Sequence, residues 1–116
     1  MTVRRLLTEF GMGSSLRRQD YTEASVRAVK DALWHNSINL AELFGKDKTE
    51  MLIHVDVGVA QPEKVDREAV AQVFPYGQVT VETHKGGLDA PRADGGNPTV
   101  MANVAISVAL DVEVAT

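Results

Sequence analysis

Apolar and polar residues alternate along several segments of the chain, which is the pattern of a strand with one buried side. The alternation is most regular from Glu50 to Ala60, where Met51, Ile53, Val55, Val57 and Val59 share one side. A long last segment, Thr99 to Val114, alternates in the same way and is rich in β-branched residues, so it predicts a strand rather than a helix. Shorter strands are predicted from Arg4 to Phe10 and from Gln78 to His84.

Two other segments have apolar residues at helical spacing. The first runs from Asp20 to about Asn36, and Asp20 followed by Glu23 is typical of a helix start. The second runs from Val65 to Phe74, with Asp66 as its expected N-cap and Pro75 after its end.

Glycine and proline mark the expected connections. Gly11-Met12-Gly13 is predicted to form a turn at the end of the first strand. The segment from Ile38 to Lys48 is predicted to be a connection with one helical turn at Leu40–Phe44. Lys85 to Pro98, with four glycines and two prolines, is predicted to be a long loop.

The predicted element order is β-α-β-α-β-β, in a single domain covering residues 1–116. This order favours an α/β (α+β) two-layer sandwich, in which a four-stranded sheet carries both helices on one face.

Composition narrows the possible functions. The chain has no cysteine, which excludes disulfides, thiolate nucleophiles and cysteine-ligated metal sites. Its net charge is −4, and its basic pair Arg17-Arg18 has no aromatic residue beside it, so nucleic-acid binding is not expected. No signal peptide or membrane-spanning stretch is evident, and a soluble, cytoplasmic protein is expected.

The sheet face without helices is expected to carry polar and apolar residues together. The polar residues assigned to it are Glu9, His54, Asp56, Glu82, His84, Asn103 and Ser107, and the apolar ones are Leu7, Leu52, Met101, Ala105 and Ala109. A solvated polar face is one interpretation. A subunit interface around a polar centre is favoured, because too few residues remain in a chain of 116 to cover this face.

His54 and Asp56 are expected to lie on the same side of one strand, near Glu9, Glu82 and His84. Such an acid–imidazole cluster suits acid–base chemistry or a metal site with nitrogen and oxygen ligands. Hydrogen bonds and ion pairs within an interface are the simpler interpretation, and no metal ligands are assigned from the sequence.

A second candidate lies around the glycines. Gly11 and Gly13 would let backbone amides approach an anion, and Arg17 and Arg18 would suit a carboxylate or phosphate. The full dinucleotide-binding fingerprint is absent, and a plain turn is favoured over an anion pocket.

Several motifs resemble the uncharacterised "Lin" family, named for a Listeria locus. They are Thr8–Gly13, Gln19-Asp20, Ala28–Leu33, His54–Val59, Pro62–Asp66 and Gly86–Leu88, and together they span most of the chain. The family's signature is G-x-G-x-D-x-H-G. Gly11 and Gly13 match it, whereas Ser15, Arg17 and Arg18 occupy the positions of its Asp, His and last Gly. The family has no established function, so the resemblance implies a fold and a site location.

A weaker resemblance is to the ring-opening amidohydrolases, the group of cyanuric acid hydrolase and barbiturase. It is carried by Asp31–Leu33, Leu52–Val57 and Ala105–Leu110. Those enzymes use Ser–Lys pairs at the centre of a threefold arrangement, and Gly58 stands where their lysine would be. The resemblance implies threefold packing of sheets and not the catalysis.

Together these observations predict self-association as a trimer or a multiple of it, with a pocket between subunits for a small anionic or polar ligand. The expected ligand-binding residues are Glu9, Gly11, Gly13, Arg17, Arg18, His54, Asp56 and Lys85, with the glycine-rich loop after Lys85 as a cap. A non-catalytic structural or regulatory homo-oligomer is the alternative, and a cyclic-amide hydrolase is a further one. Whether the protein is an enzyme, and which cofactor it would use, stay open.

Overall fold

The computed structural model describes residues 2–35, 41 and 45–112. Within these ranges five strands and two helices have described bounds, with short 3₁₀ turns at Lys48–Glu50 and Pro62–Lys64. In chain order they are β1 (Thr2–Ser15), α1 (Tyr21–His35), β2 (Leu52–Val59), α2 (Arg67–Ala71), β3 (Gln78–Lys85), β4 (Leu88–Ala90) and β5 (Thr99–Val112).

The strands form one mixed sheet in the order β1-β5-β2-β3. β5 is antiparallel to both of its neighbours, and β2 is parallel to β3. β4 pairs with β5 as well, from Leu88 opposite Met101 to Ala90 opposite Thr99. The predicted four strands are therefore five, and the order is β-α-β-α-β-β-β. The extra strand lies in the predicted long loop, and its three residues are too few to show an alternation.

The two helices begin where the sequence predicts. The Asp20 side chain accepts a hydrogen bond from the Glu23 amide at 2.9 Å, and Asp66 caps α2 through the amides of Glu68 and Ala69. α2 is shorter than the predicted Val65–Phe74 segment. Of the helical turn predicted at Leu40–Phe44, only Ala41 is among the described residues, and it is helical and buried.

Both helices contribute to one core on one side of the sheet. α1 packs on β1 and β5, and α2 packs on β3 and α1. The predicted alternation in β2 and β5 is confirmed, since the apolar set of each strand is buried. The fully buried residues include Val55, Val57, Val59, Val70, Val100, Ile106 and Leu110. None of the described helices is long and apolar enough to cross a membrane.

Gly11 and Gly13 do not form the predicted turn, because β1 continues through them to Ser15. A Cβ on Gly11 would lie 2.2 Å from the Ala28 carbonyl oxygen, and one on Gly13 would lie 2.3 Å from the Ala28 nitrogen. Both positions would therefore collide with the backbone of α1. The glycines are needed so that the helix can cross the strand at short range.

A β-bulge interrupts β1 between Arg5 and Leu7. Arg5 pairs with Ala109, whereas Leu7 pairs with Val108, so the extra residue reverses the alternation of sides along β1. Glu9 consequently pairs with Ile106, on the side that the helices cover. The prediction that Leu7 and Glu9 lie on the helix-free face is wrong for this reason.

The outer edge of β1 is partly covered by side chains of α1. The Met12 amide donates to Asp31 Oδ2 at 3.0 Å, and Arg27 donates to the Ser14 carbonyl oxygen at 2.7 Å. Arg27 also pairs with Glu23 at 2.6 Å, as the charge spacing on the helix predicts.

Candidate functional site

The sheet face opposite α1 and α2 is called the open face here. It is formed by Val3, Arg5, Thr8, Phe10 and Met12 of β1, Leu52, His54, Asp56 and Gly58 of β2, Gln78, Thr80, Glu82 and His84 of β3, Leu88 and Ala90 of β4, and Thr99, Met101, Asn103, Ala105, Ser107 and Ala109 of β5. Its polar centre is a cluster of four side chains, His54, Asp56, Glu82 and His84.

Strand register brings the four side chains together. Asp56 pairs with Glu82 across the parallel strands, and His84 pairs with Gly58, two residues beyond Asp56. The His84 imidazole reaches back along the strand to Asp56, and its Nε2 lies within hydrogen-bond distance of the carboxylate. Two histidines therefore flank one carboxylate.

The Asp56 carboxylate is the centre of the cluster. Its Oδ1 lies 2.8 Å from His84 Nε2 and 3.2 Å from His54 Nε2. Glu82 Oε2 lies 3.7 Å from His84 Nε2 and 3.8 Å from His54 Nε2. The ligand atoms of His54, Asp56 and Glu82 all lie within 4.8 Å of one another.

Hydrogen bonds from the two imidazoles lower the pKa of the central carboxylate, Asp56. Partial burial acts to raise the pKa of Asp56, but hydrogen bonds from His84 and His54 outweigh it, and the pKa is lowered. His54 Nδ1 lies 2.7 Å from Thr80 Oγ1. Since the ionised carboxylate can only accept, His54 donates from Nε2 to Asp56, and its Nδ1 shares a second hydrogen bond with the Thr80 hydroxyl. This arrangement orients the imidazole and suits it to proton transfer.

A shallow depression of about 330 Å³ adjoins the cluster on the open face. His54 forms part of its wall, together with Val3, Arg5, Leu52, Gln78, Thr80, Ser107 and Ala109. Its volume lies in the range of small-molecule sites. The guanidinium, amide and hydroxyl groups in the wall provide hydrogen-bond partners for a polar ligand.

Of the residues that the sequence proposes for a ligand site, His54 and Asp56 meet in this cluster. Arg17 and Arg18 line a separate depression of about 360 Å³. Glu9 faces the helices, and Gly11 and Gly13 pack against α1. Lys85 pairs with the buried Val59, on the helix side of the sheet.

Arg17 and Arg18 lie beyond the far end of β1. Asp56 shares a row of the sheet with Ala105 and Phe10, and Ser15 is five residues further along β1, about 16 Å away. Arg18 forms an ion pair with Glu23 at 2.7 Å, which raises its pKa. Within one chain, therefore, these arginines do not reach the cluster.

Three polar residues in the wall of the depression, Arg5, Gln78 and Thr80, are not among the sequence candidates. Thr80 precedes Glu82 by two residues on the same strand, so the alternation of β3 was a usable signal for it. Arg5 alternates with Leu7 and Glu9, so the alternation that assigns those two residues to the helix-free face also assigns Arg5 to it.

A second polar group joins β4 to the start of α1 on the helix side. The buried Tyr21 hydroxyl donates to Asp89 Oδ2 at 2.5 Å and accepts from Gln19 at 3.1 Å and from Gln61 at 3.0 Å. Burial, then the hydrogen bond to Asp89, raises the pKa of Tyr21. Asp89 Oδ1 is buried and has no hydrogen-bond partner among the described residues.

The comparisons with known proteins agree with this fold. Residues 5–108 match the family model described as a conserved hypothetical protein, Lin0512_fam. The chain belongs to the Lin0512 family. This match confirms the family resemblance that the sequence motifs indicate. The family description names no reaction.

A solved structure supports the same assignment. The chain is similar to an FtsZ-like protein of unknown function from Nostoc punctiforme, with 32% sequence identity and a TM-score of 0.85. The match covers 97% of this chain and 99% of that protein. No curated protein matches the chain. The resemblance to ring-opening amidohydrolases gains no support from these comparisons.

Proposed function

We propose that this Lin0512 protein assembles into a homo-oligomer through its open face and binds a small anionic or polar ligand between subunits. The observation that carries the proposal is the arrangement of exposed apolar side chains around the polar cluster and its adjoining depression. Three subunits or a multiple of three is the number expected from the sequence resemblance to threefold assemblies. A cytoplasmic location is part of the proposal.

The apolar side chains on the open face are large and exposed. Phe10 is 73% exposed, Met12 and Leu88 are each 57% exposed, and Val3 is 55% exposed. They lie on β1 and β4, and Leu52, Met101, Ala105 and Ala109 lie between them and the cluster. Monomers rarely expose an apolar patch of this extent, which favours a protein partner.

The size of the face suits a second copy of the chain. Two strands of 14 residues and two of eight span about 700 Å² of sheet, close to the roughly 800 Å² per partner of a standard interface. The mixture of apolar and polar side chains on this face is also ordinary for a protein interface, which is about as apolar as the rest of a protein surface.

The depression favours an anionic ligand. Arg5 is the cation in its wall, and a guanidinium binds a carboxylate or phosphate through two parallel hydrogen bonds. Gln78, Thr80 and His54 supply further donors beside it. Arg5 therefore takes the role that the sequence suggested for Arg17 and Arg18.

Replacement of Phe10 tests the assembly. Phe10→Glu places a charge in the apolar surround, and native mass spectrometry is expected to show a shift from the oligomer to the 12.6 kDa chain. Trp34→Glu is the matched control, because Trp34 is 86% exposed on α1, away from the open face. A wild-type monomer, or equal dissociation by both variants, would contradict the assembly.

Replacement of Arg5 tests the ligand site. Inorganic phosphate, malonate and succinate are titrated by calorimetry into the wild type, Arg5→Ala and Arg4→Ala. Arg4 is the matched control, because it pairs with the buried Leu110 on the opposite side of the same strand. Binding of an anion is expected to weaken at least about tenfold in Arg5→Ala alone. An oligomer that binds none of the three anions would leave assembly as the function of this face.

A further inference from the structure

We propose that His54, Asp56 and Glu82 bind a divalent transition-metal ion, zinc above all, with His84 as a fourth donor. All four residues belong to one chain, so this site goes beyond the proposed oligomer and does not depend on it.

The spacing of the donor atoms supports the proposal. Two atoms bound to the same tetrahedral zinc at 2.0–2.2 Å are about 3.3–3.5 Å apart. The His54–Asp56 and His54–Glu82 distances are 3.2 and 3.8 Å, and the His84–Glu82 distance is 3.7 Å. For His54, Asp56 and Glu82, side-chain movements of a few tenths of an ångström would therefore bring these donors to a shared ion. His84, 2.8 Å from Asp56, would have to move further to serve as the fourth donor.

The donor types select the ion. Two imidazole nitrogens and two carboxylate oxygens form a set that suits zinc and its neighbours among the transition metals. Calcium needs six to eight oxygens, and magnesium retains several waters in a strict octahedron. The cluster offers neither arrangement.

Contacts outside the donor set would hold the ligands in place. With a metal at His54 Nε2 in place of the hydrogen bond to Asp56, the imidazole proton would lie on Nδ1, where the Thr80 hydroxyl can accept it. Such outer contacts fix the ring orientation and are typical of histidine ligands. The four donors also lie on two paired strands, which are rigid supports.

The proposed metal site adjoins the depression, so a bound ion would affect ligand binding there. His54 belongs to the cluster and to the wall of the depression, so an ion here would lie at its edge. Together with Arg5, it would attract an anionic ligand. Its two positive charges would offset the carboxylates of Asp56 and Glu82, so the cluster would no longer repel an anion bound at Arg5.

Calorimetric titration of zinc chloride into chelator-treated protein tests the proposal, with magnesium chloride as the control ion. A single zinc ion per chain is expected, and no magnesium. Asp56→Asn, Glu82→Gln and His54→Gln are each expected to weaken zinc binding at least about 100-fold, and Thr80→Val about tenfold. Binding is also expected to weaken at low pH, because the ligands must lose their protons.

Glu9→Gln is the matched control, since Glu9 lies on the opposite face of the same sheet and should leave zinc binding unchanged. Circular dichroism of each variant separates loss of the site from loss of the fold. Absence of zinc binding by the folded wild type at millimolar zinc would overturn the proposal, as would zinc binding that the cluster variants do not alter. Phe10→Glu is expected to retain zinc, so failure of the oligomer and failure of the metal site give different results.

Discussion

The Tyr21 hydroxyl has more structural partners than any other hydroxyl in the described chain. It joins the start of α1 to β4 through Asp89, and to the end of β2 through Gln61. Because Asp89 Oδ1 already lacks a partner, Tyr21 provides the compensating contact for this carboxylate. The short strand β4 therefore depends on this hydroxyl for its attachment to α1.

Tyr21→Phe is expected to lower the free energy of unfolding by about 1–3 kcal/mol, since it leaves buried hydrogen-bonding groups unpaired. Tyr76→Phe is the matched control, because the ring of Tyr76 contacts Lys48 and this contact survives removal of the hydroxyl. Urea denaturation of the three proteins measures the difference. Equal stability of Tyr21→Phe and the wild type would contradict a structural role for the hydroxyl.

The raised pKa of Tyr21 predicts a dependence on alkaline pH. An unfolded tyrosine ionises near pH 10.0, whereas the folded protein keeps Tyr21 protonated to higher pH. Its contribution to stability is therefore complete below pH 10.0 and is lost as the pH rises through the folded pKa. Urea denaturation between pH 9 and pH 11 should show a smaller loss of stability for Tyr21→Phe than for the wild type. Parallel losses would contradict the assignment.

α1 packs closely on β1 because Gly11 and Gly13 have no side chains. Gly11→Ala is expected to lower the free energy of unfolding by about 2 kcal/mol or more, because the new methyl group meets helix backbone that cannot move aside. Gly58→Ala is the control within a strand, since a Cβ there would have no neighbour closer than 3.6 Å. Its effect is expected to stay within about 1 kcal/mol in either direction. Thermal and urea denaturation that rank the two variants equally would contradict this packing.

The sequence predicts elements where a pattern is long enough to be periodic. β2, β5 and the caps of both helices follow from alternation and from Asp20 and Asp66. The glycines of β1 were misread as a turn, because a tight turn and a close helix crossing require the same residue. Only the position of α1 above Gly11 and Gly13 distinguishes the two.

The sequence likewise predicts the candidate site only where the strands are regular. His54, Asp56, Glu82 and His84 are neighbours because two regular strands pair in register, and the alternation predicts their common face. Glu9 lies on the side opposite to the expected one because one inserted residue reverses the alternation after Arg5. Arg17 and Arg18 lie apart from the cluster because β1 continues past the glycines. The distance between these arginines and the cluster depends on where β1 ends, so an error in the predicted end of β1 also misplaces the arginines.

At the scale of the whole molecule, the described residues cover one sheet face and leave the other open, and the proposed assembly makes the stability of the fold depend on protein concentration. If subunits pack through the open face, the wild-type melting temperature should rise with protein concentration, because association stabilises the folded state. The melting temperature of Phe10→Glu should stay constant over the same range. Differential scanning calorimetry at several concentrations measures both, and a constant wild-type value would contradict the assembly.

The outer edge of β1 affects how the chain can associate with other chains. A long edge strand normally invites another strand to extend the sheet, which leads to fibres and aggregates. Here Asp31 and Arg27 occupy edge groups of Met12 and Ser14, and the bulge after Arg5 breaks the straight run of the other half. Growth of the sheet at this edge is thereby hindered, which agrees with the proposed association through the open face rather than through strand pairing at β1.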